Sequence, residues 1–126
     1  MESTEIELLQ GIDTIIVRVS NIEISKDWYV QKLGLTVLFE DSKMKLAVID
    51  TNSATSITLW QTPQAFSINR ETASYPIFKT PDADKLRQLF LNQGIEAEEI
   101  IQDDYVKSFV FFDPDGNILE ACQVFG

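Results

Sequence analysis

The sequence predicts an α+β domain made of two successive strand–helix–three-strand units. Two observations carry that reading. Helix punctuation occurs twice at matching places: Asn21 and Asp82 stand before the two helical stretches, and Gly34 and Gly94 stand after them. Each helical stretch also follows one strand-like run and precedes three more. The copies lie roughly 60 residues apart, a period long enough for a duplicated supersecondary unit. Neither unit can bury its sheet alone; two together can.

The elements follow in order. Residues 1–10 read as a polar leader with an apolar end at Ile6, Leu8 and Leu9, either a helical turn or an added edge strand. Ile12 to Val19 is β-branched and apolar, the mark of a strand. Asn21 caps a helix carrying Ile24, Trp28, Val30 and Leu33, which stops at Gly34. Strands are expected at Leu35–Glu40, Lys43–Asp50 and Ala54–Gln61, with turn chemistry at Asp41-Ser42 and Thr51-Asn52-Ser53. Residues 62–73 form a polar linker. Tyr75–Thr80 is the next strand, and Pro81-Asp82 opens the second helix, whose apolar face is Leu86, Leu89, Phe90 and Leu91. Three strands follow at Ile95–Ile101, Tyr105–Phe112 and Ile118–Val124, with Asp115-Gly116 a tight turn between the last two. The units therefore span about 11–61 and 74–125 of a single domain, a reading consistent with the 126-residue length.

Charge and composition exclude several functions. Twenty acidic residues against ten basic ones leave a net charge of −10. Nucleic acid and anionic membranes are recognised through Lys/Arg clusters, so neither is an expected partner. A neutral or cationic small molecule suits the balance better. The chain has no His, which removes every imidazole base, Ser-His-Asp triad and Cys-His pair. Its single Cys122 cannot form an intrachain disulfide and has no His to activate it, so an inert thiol is the simpler reading. The acidic N-terminus lacks the basic and apolar regions of a signal peptide, and no apolar run reaches the ~18–20 residues of a membrane span. A cytoplasmic protein is the expectation.

The order of elements resembles the vicinal oxygen chelate superfamily, the group of glyoxalases, bleomycin-resistance proteins and extradiol dioxygenases. Residues 12–21, Ile-Asp-Thr-Ile-Ile-Val-Arg-Val-Ser-Asn, look like its opening strand and helix cap. Trp28-Tyr29 and Leu33-Gly34-Leu35 match its aromatic-Tyr and Leu-Gly positions. The most specific stretch is Phe111 to Glu120, where an Asp-Pro-Asp-Gly-Asn turn precedes a strand with Glu. The resemblance covers about residues 10–125. It implies two paired βαβββ units whose sheets curl around a cleft, with helices on the convex faces, and a homodimer.

The same resemblance locates the metal ligands of its enzymes at four strand positions, often His, Glu or Gln, His and Glu. Here they map to Thr14, Thr58, Pro76 and Glu120. Only Glu120 is a strong ligand; Pro76 offers no side-chain donor, and the threonines are neutral hydroxyls. Adjacent Asp13 faces the other side of its strand. No metal and no other cofactor is expected.

If Thr14 and Glu120 face the cleft, alternation brings Ile16 and Arg18 there, with Ser56, Thr58 and Trp60, and with Pro76, Phe78 and Thr80. Ile118, Glu120 and Cys122 join them, and Phe112 is the aromatic of its strand assigned to the cleft. The candidate ligand-binding set is thus Thr14, Arg18, Thr58, Trp60, Phe78, Phe112 and Glu120. Arg18 and Glu120 have two readings: a structural pair across the cleft, or groups offered to a ligand. Glu120 is also the one candidate catalytic residue, as a base with a burial-raised pKa. Trp60 and Phe78 fit either core filling or stacking on a planar or cationic ligand. The acidic run from Glu96 to Asp104 reads as a solvated edge or a guide for cations, and the linker as a lid or a connector.

Three functions remain. The first is metal-independent binding of a small molecule, an aromatic or cationic compound sequestered as in bleomycin resistance. The second is a glyoxalase-like lyase, isomerase or dioxygenase using Glu120. The third is a regulatory dimerisation domain with a filled cleft.

Overall fold

The structure is a computed structural model that describes residues 6–125. The acidic start of the leader, residues 1–5, lies outside the described residues, and residues 6–10 form neither helix nor strand. The first unit runs β1 (Thr14–Val19), α1 (Ile22–Gln31), β2 (Thr36–Asp41), β3 (Leu46–Asp50) and β4 (Ser56–Gln61). The second runs β5 (Ile77–Lys79), α2 (Ala83–Asn92), β6 (Ile101–Gln102), β7 (Val106–Phe112) and β8 (Ile118–Val124). Each unit folds its strands into one four-stranded sheet, in orders β1-β4-β3-β2 and β5-β8-β7-β6. The first strand of each unit pairs parallel to the last, and the rest are antiparallel. The two sheets therefore have one topology, as the duplicated sequence pattern predicts.

Both units start their helices the same way. Asn21 and Asp82 accept from the backbone N–H of Ile24 (3.1 Å) and Lys85 (3.0 Å), satisfying donors the helix itself leaves unpaired. A further bond comes from the last strand of each unit. The Gln61 side-chain carbonyl accepts from Ile22 N and that of Gln123 from Ala83 N, each at 2.9 Å. Gly34 and Gly94 then end the helices in the left-handed region, at φ of 73° and 78°.

The second strand of each unit slips in register, and in the second unit it is also shorter than expected. In β2 the register slips by one residue between Val37 and Phe39, leaving Leu38 as a bulge. In the second unit Ala97 bridges Phe111 and Ile101 pairs with Ser108, again a slip of one residue. There the Glu-rich chain, a poor strand former on a sheet edge, keeps only Ile101–Gln102 as β6.

Alternation divides each sheet into a helix-covered face and an open face. Val17, Val19, Ile49, Ile57 and Leu59 of the first sheet join Phe109, Phe111, Leu119 and Ala121 of the second in one buried cluster with Tyr29 and Phe90. The rings of Phe90 and Phe111 lie 4.8 Å apart at its centre. The opposite faces are uncovered: Ile16 and Ile77 are 52% and 55% exposed, and Val124 is 69% exposed.

A polar clasp joins the units at one end. The Tyr29 hydroxyl of α1 donates to Asp113 at 2.9 Å. Asn117 donates through its side-chain amide to Asp113 (2.9 Å) and to the Arg18 carbonyl (2.9 Å). The backbone amides of Asp115 and Asn117 bond the other Asp113 oxygen, both at 2.9 Å. Asp115 in turn accepts from Ser20 N at 3.1 Å. Burial pushes the Asp113 carboxyl above its usual 3.8, and the bonds from Asn117 and Tyr29 pull it part of the way back. Burial and the facing Asp113 charge hold the Tyr29 phenol protonated.

Replacing Asp113 with Ala leaves four donors unsatisfied at a 5% exposed site. A loss of about 3 kcal/mol in unfolding free energy is expected. A raised folded pKa makes this group's contribution complete below its unfolded pKa and diminishes it as pH rises through the folded value. The cost of Asp113→Ala is therefore larger at pH 4 than at pH 7. Urea titrations of both proteins at the two pH values check it.

Candidate functional site

The open face of β1 and the linker enclose a hollow of about 700 Å³. Ile16 and Arg18 form one wall, Phe66 and Ile68 of the linker a second, and Tyr75, Asn117 and Ile118 the base. Apolar surface with a few polar groups is the usual makeup of a small-molecule pocket of this size.

The Arg18 guanidinium is held along its own sheet. It donates to the carbonyls of Trp60 (3.1 Å) and Gln61 (3.2 Å) and lies 5.2 Å from the Trp60 ring centre. Trp60 is fixed in turn by its indole N–H, which donates to the Met44 carbonyl at 3.0 Å. Glu120 accepts from the Tyr75 hydroxyl at 3.4 Å. Arg18 and Glu120 therefore have separate partners, and the structural pair between them is not formed. The facing Glu120 charge, more than burial, raises the Tyr75 pKa, so the phenol stays protonated and remains a donor.

Thr14 and Thr58 meet through their hydroxyls at 2.8 Å, and Thr58 is buried. The two units repeat this arrangement. Ile16 pairs with Thr58 and Ile77 with Glu120, so Tyr75 occupies in the second unit the place of Thr14 in the first. Thr14–Thr58 and Tyr75–Glu120 are equivalent diagonal pairs on the open faces. The position expected at Pro76 thus belongs to Tyr75, one residue earlier. Pro76 instead supplies a carbonyl to Glu120 N, at 3.2 Å.

Residues 11–121 match the profile of the Glyoxalase/Bleomycin resistance protein/Dioxygenase superfamily. The chain belongs to this superfamily. Solved structures agree with the assignment. A glyoxalase family protein from Enterococcus faecalis is 25% identical, with a TM-score of 0.76 over 92% of this chain and 99% of that one. An antibiotic-binding protein from Streptomyces sp. CB03234 is 21% identical, with a TM-score of 0.77 over 94% and 99%. A lactoylglutathione lyase from Agrobacterium tumefaciens is 15% identical, with a TM-score of 0.73 over 93% and 96%. Among curated proteins none matches the chain. Among the described residues no helix is long and apolar enough to cross a membrane.

Set against the superfamily pattern, the expected ligand-binding residues separate. Thr14, Thr58, Trp60 and Glu120 lie on open faces, and Arg18 lines the hollow. Phe78 does not join them. It pairs with Ala121 and packs 6.4 Å from Phe111, on the helix-covered side. The error is one of phase: β5 begins at Ile77, so Ile77 and Lys79 share the face of Glu120. Phe112 has the expected facing but is buried, with the Arg70 guanidinium 3.6 Å from its ring centre. Cys122, beside Glu120 on the same face, is half-buried. Tyr75, which bonds Glu120 on this open face, is absent from the expected set. The duplication offset was the available signal, since Thr14 to Tyr75 spans 61 positions and Thr58 to Glu120 spans 62.

Arg70 also pairs with Glu96 at 3.3 Å, fastening the linker to the second unit. Replacing Arg70 with Ala removes both the pair and the ring contact. Chymotryptic cleavage within residues 62–73 is expected to accelerate about tenfold as local opening becomes easier. Timed digestion followed by mass spectrometry measures it.

Proposed function

We propose that this protein binds a small aromatic or cationic molecule without a metal ion, in the hollow beside Arg18 and Tyr75. The observation that carries the reading is the chemistry of the four superfamily positions. Thr14, Thr58 and Tyr75 are hydroxyls, two of them bonded to each other, and Glu120 is the sole carboxylate. Among the described residues no three His, Cys, Asp or Glu side chains cluster. Neutral hydroxyls with one carboxylate do not fit a transition-metal site. They do fit hydrogen bonding to a ligand. The Tyr75 phenol gives its one proton to Glu120 and keeps its oxygen as an acceptor, the second Glu120 oxygen also accepts, and a ligand cation that reaches past Tyr75 meets the Glu120 charge within an acidic chain. Phe66 and Tyr75 supply flat apolar surface for a planar body. Sequestration, in the cytoplasm, is the role this reading assigns, and the likeness in fold to an antibiotic-binding protein is in line with it.

A homodimer completes the proposal. Ile16 and Phe39 on one open sheet face, with Ile77 and Val124 on the other, are all more than half exposed. Apolar faces of this kind on a small protein are normally covered by a partner. A second copy would set the Thr14–Thr58 face of one protomer against the Tyr75–Glu120 face of its partner.

Titration with Mn, Ni, Fe and Zn by calorimetry is expected to show no binding tighter than about millimolar. Stoichiometric micromolar binding lost in Glu120→Ala overturns the metal-free reading. A thermal-shift screen of planar aromatic cations should yield stabilising ligands whose affinity falls about tenfold in Glu120→Gln and less in Tyr75→Phe. Sedimentation equilibrium should show a dimer that Ile16→Asp, combined with Ile77→Asp, converts to monomer.

A further inference from the structure

The polar clasp has a twin position that holds no clasp. The duplication carries Tyr29 onto Phe90, Asp113 onto Thr51, Asp115 onto Ser53 and Asn117 onto Thr55. Phe90 has no hydroxyl to donate. The Thr51 hydroxyl is spent within its own turn, on Ser53 and the Thr55 carbonyl. Among the described residues no hydrogen bond crosses from the 51–55 turn to α2, as Tyr29 crosses from α1 to Asp113 at the first junction. A groove of about 540 Å³ remains there, on the helix-covered side of the sheets. Phe90 and Phe111 lie beneath it as core residues, 7% and 1% exposed. Its accessible walls are half-buried side chains from both units: Ile15 and Leu33 of the first, Phe78 and Leu86 of the second.

The chain itself brings apolar surface to the mouth of this groove. Ile6, Leu8, Leu9 and Ile12 are 74%, 95%, 90% and 65% exposed. Single exposed apolar side chains are ordinary; four within seven residues form a patch that calls for cover. Among the described residues, the one hydrogen bond of residues 6–11 is internal, from the Gln10 side chain to the Glu7 carbonyl at 3.1 Å. The next two residues are fixed. The Thr55 hydroxyl donates to the Ile12 carbonyl at 2.8 Å, and Ser56 N donates to the Asp13 carbonyl at 3.0 Å. Thr55 and Ser56 both line the groove, so the leader leaves the domain at the groove's lip, just ahead of Ile15. Gly11 stands at the exit with a φ of 102°, a left-handed value that favours glycine, and makes a pivot there. From that pivot residues 6–11 reach at most about 20 Å. Glu2, Glu5 and Glu7 make the leader acidic. No carboxylate lines the groove to repel it, whereas the open face of the second sheet carries Glu120.

We propose that this groove is the docking surface of the chain's own leader. The leader folds back at Gly11 and lays Leu8 and Leu9 against Leu33, Phe78 and Leu86, as a strap across the junction that lacks a clasp. Both units contribute walls, so the strap ties them by apolar contact where Asp113 ties them by hydrogen bonds at the other end. In the structure the strap stands free of its groove; free and docked are the two positions of one hinge. The proposal does not rest on the function assigned to the hollow beside Arg18.

Leu8→Ser combined with Leu9→Ser is the test, made in the full chain. If the leader stays free, replacing two exposed side chains leaves the melting temperature unchanged. If it docks, the double variant should melt about 4 °C below wild type. That loss should shrink by at least about half when Leu86→Ala is already present, because the changes then share one contact. Nuclear Overhauser contacts in the wild-type protein locate the leader independently of any variant. They should join the Leu8 or Leu9 methyls to Phe78 and Leu86. In a mixture of isotope-labelled and unlabelled chains these contacts should arise within one chain only. A double variant that melts within about 1 °C of wild type overturns the proposal. So do leader contacts to Ile16 or Phe39 on the open face. Contacts between labelled and unlabelled chains overturn it as well, and make the groove the seat of a second copy's leader.

Discussion

The buried carboxylate of Asp113 is the contact on which the rest of the arrangement depends. Two units of identical topology could pack against each other in several ways, because apolar contact is non-directional. Asp113 selects one of them. Its two oxygens collect donors from α1, from its own turn and from Asn117, which also reaches the Arg18 carbonyl at the end of β1. Hydrogen bonds specify angle and distance as burial does not. The shared core of Tyr29, Phe90, Phe111 and Leu119 then packs in one register. The same bonds set where the open face of β1 stands against Ile118, and so shape the hollow beside Arg18.

Duplication explains much of the remaining structure, and its failures are informative. The helix caps, the glutamines that reach back to α1 and α2, and the one-residue slip in the second strand all recur. These devices satisfy backbone groups or curve a sheet, so both units need them. The side chains facing the sites do not recur. Thr58 becomes Glu120 and Thr14 becomes Tyr75, changing a neutral hydroxyl pair into a phenol beside a carboxylate. At the junctions Tyr29 becomes Phe90, and a clasp becomes a groove. Asymmetry within a symmetric frame is where specific chemistry resides.

The net charge of the chain and the charges at its hollow differ in sign. An acidic chain repels anions at long range, and that field weakens within about 10 Å at ordinary salt. Local walls then decide. The hollow beside Tyr75 is lined by one charged side chain, Arg18, while Glu120 behind Tyr75 keeps the phenol protonated.

The sequence alone determined the two-unit topology, the helix caps, the Asp115-Gly116 turn and the lack of imidazole chemistry, because these depend on local periodicity, turn residues and composition. It also placed Ile16, Arg18 and Phe112 on one face of their strands, which leaves Val17, Val19, Phe109 and Phe111 to the buried faces, since alternation holds within any long strand. Alternation failed for Phe78, where a three-residue strand after Pro76 offers too few positions to fix a phase. It also could not show that Arg70 covers Phe112, a contact spanning 42 positions. Only the tertiary structure decided that Arg18 and Glu120 have separate partners, that Tyr75 belongs with Glu120, and that one junction closes while its twin stays open. Each of these rests on where two distant segments meet. Pairwise geometry of that kind is set by the packing of the whole core, and no local pattern encodes it.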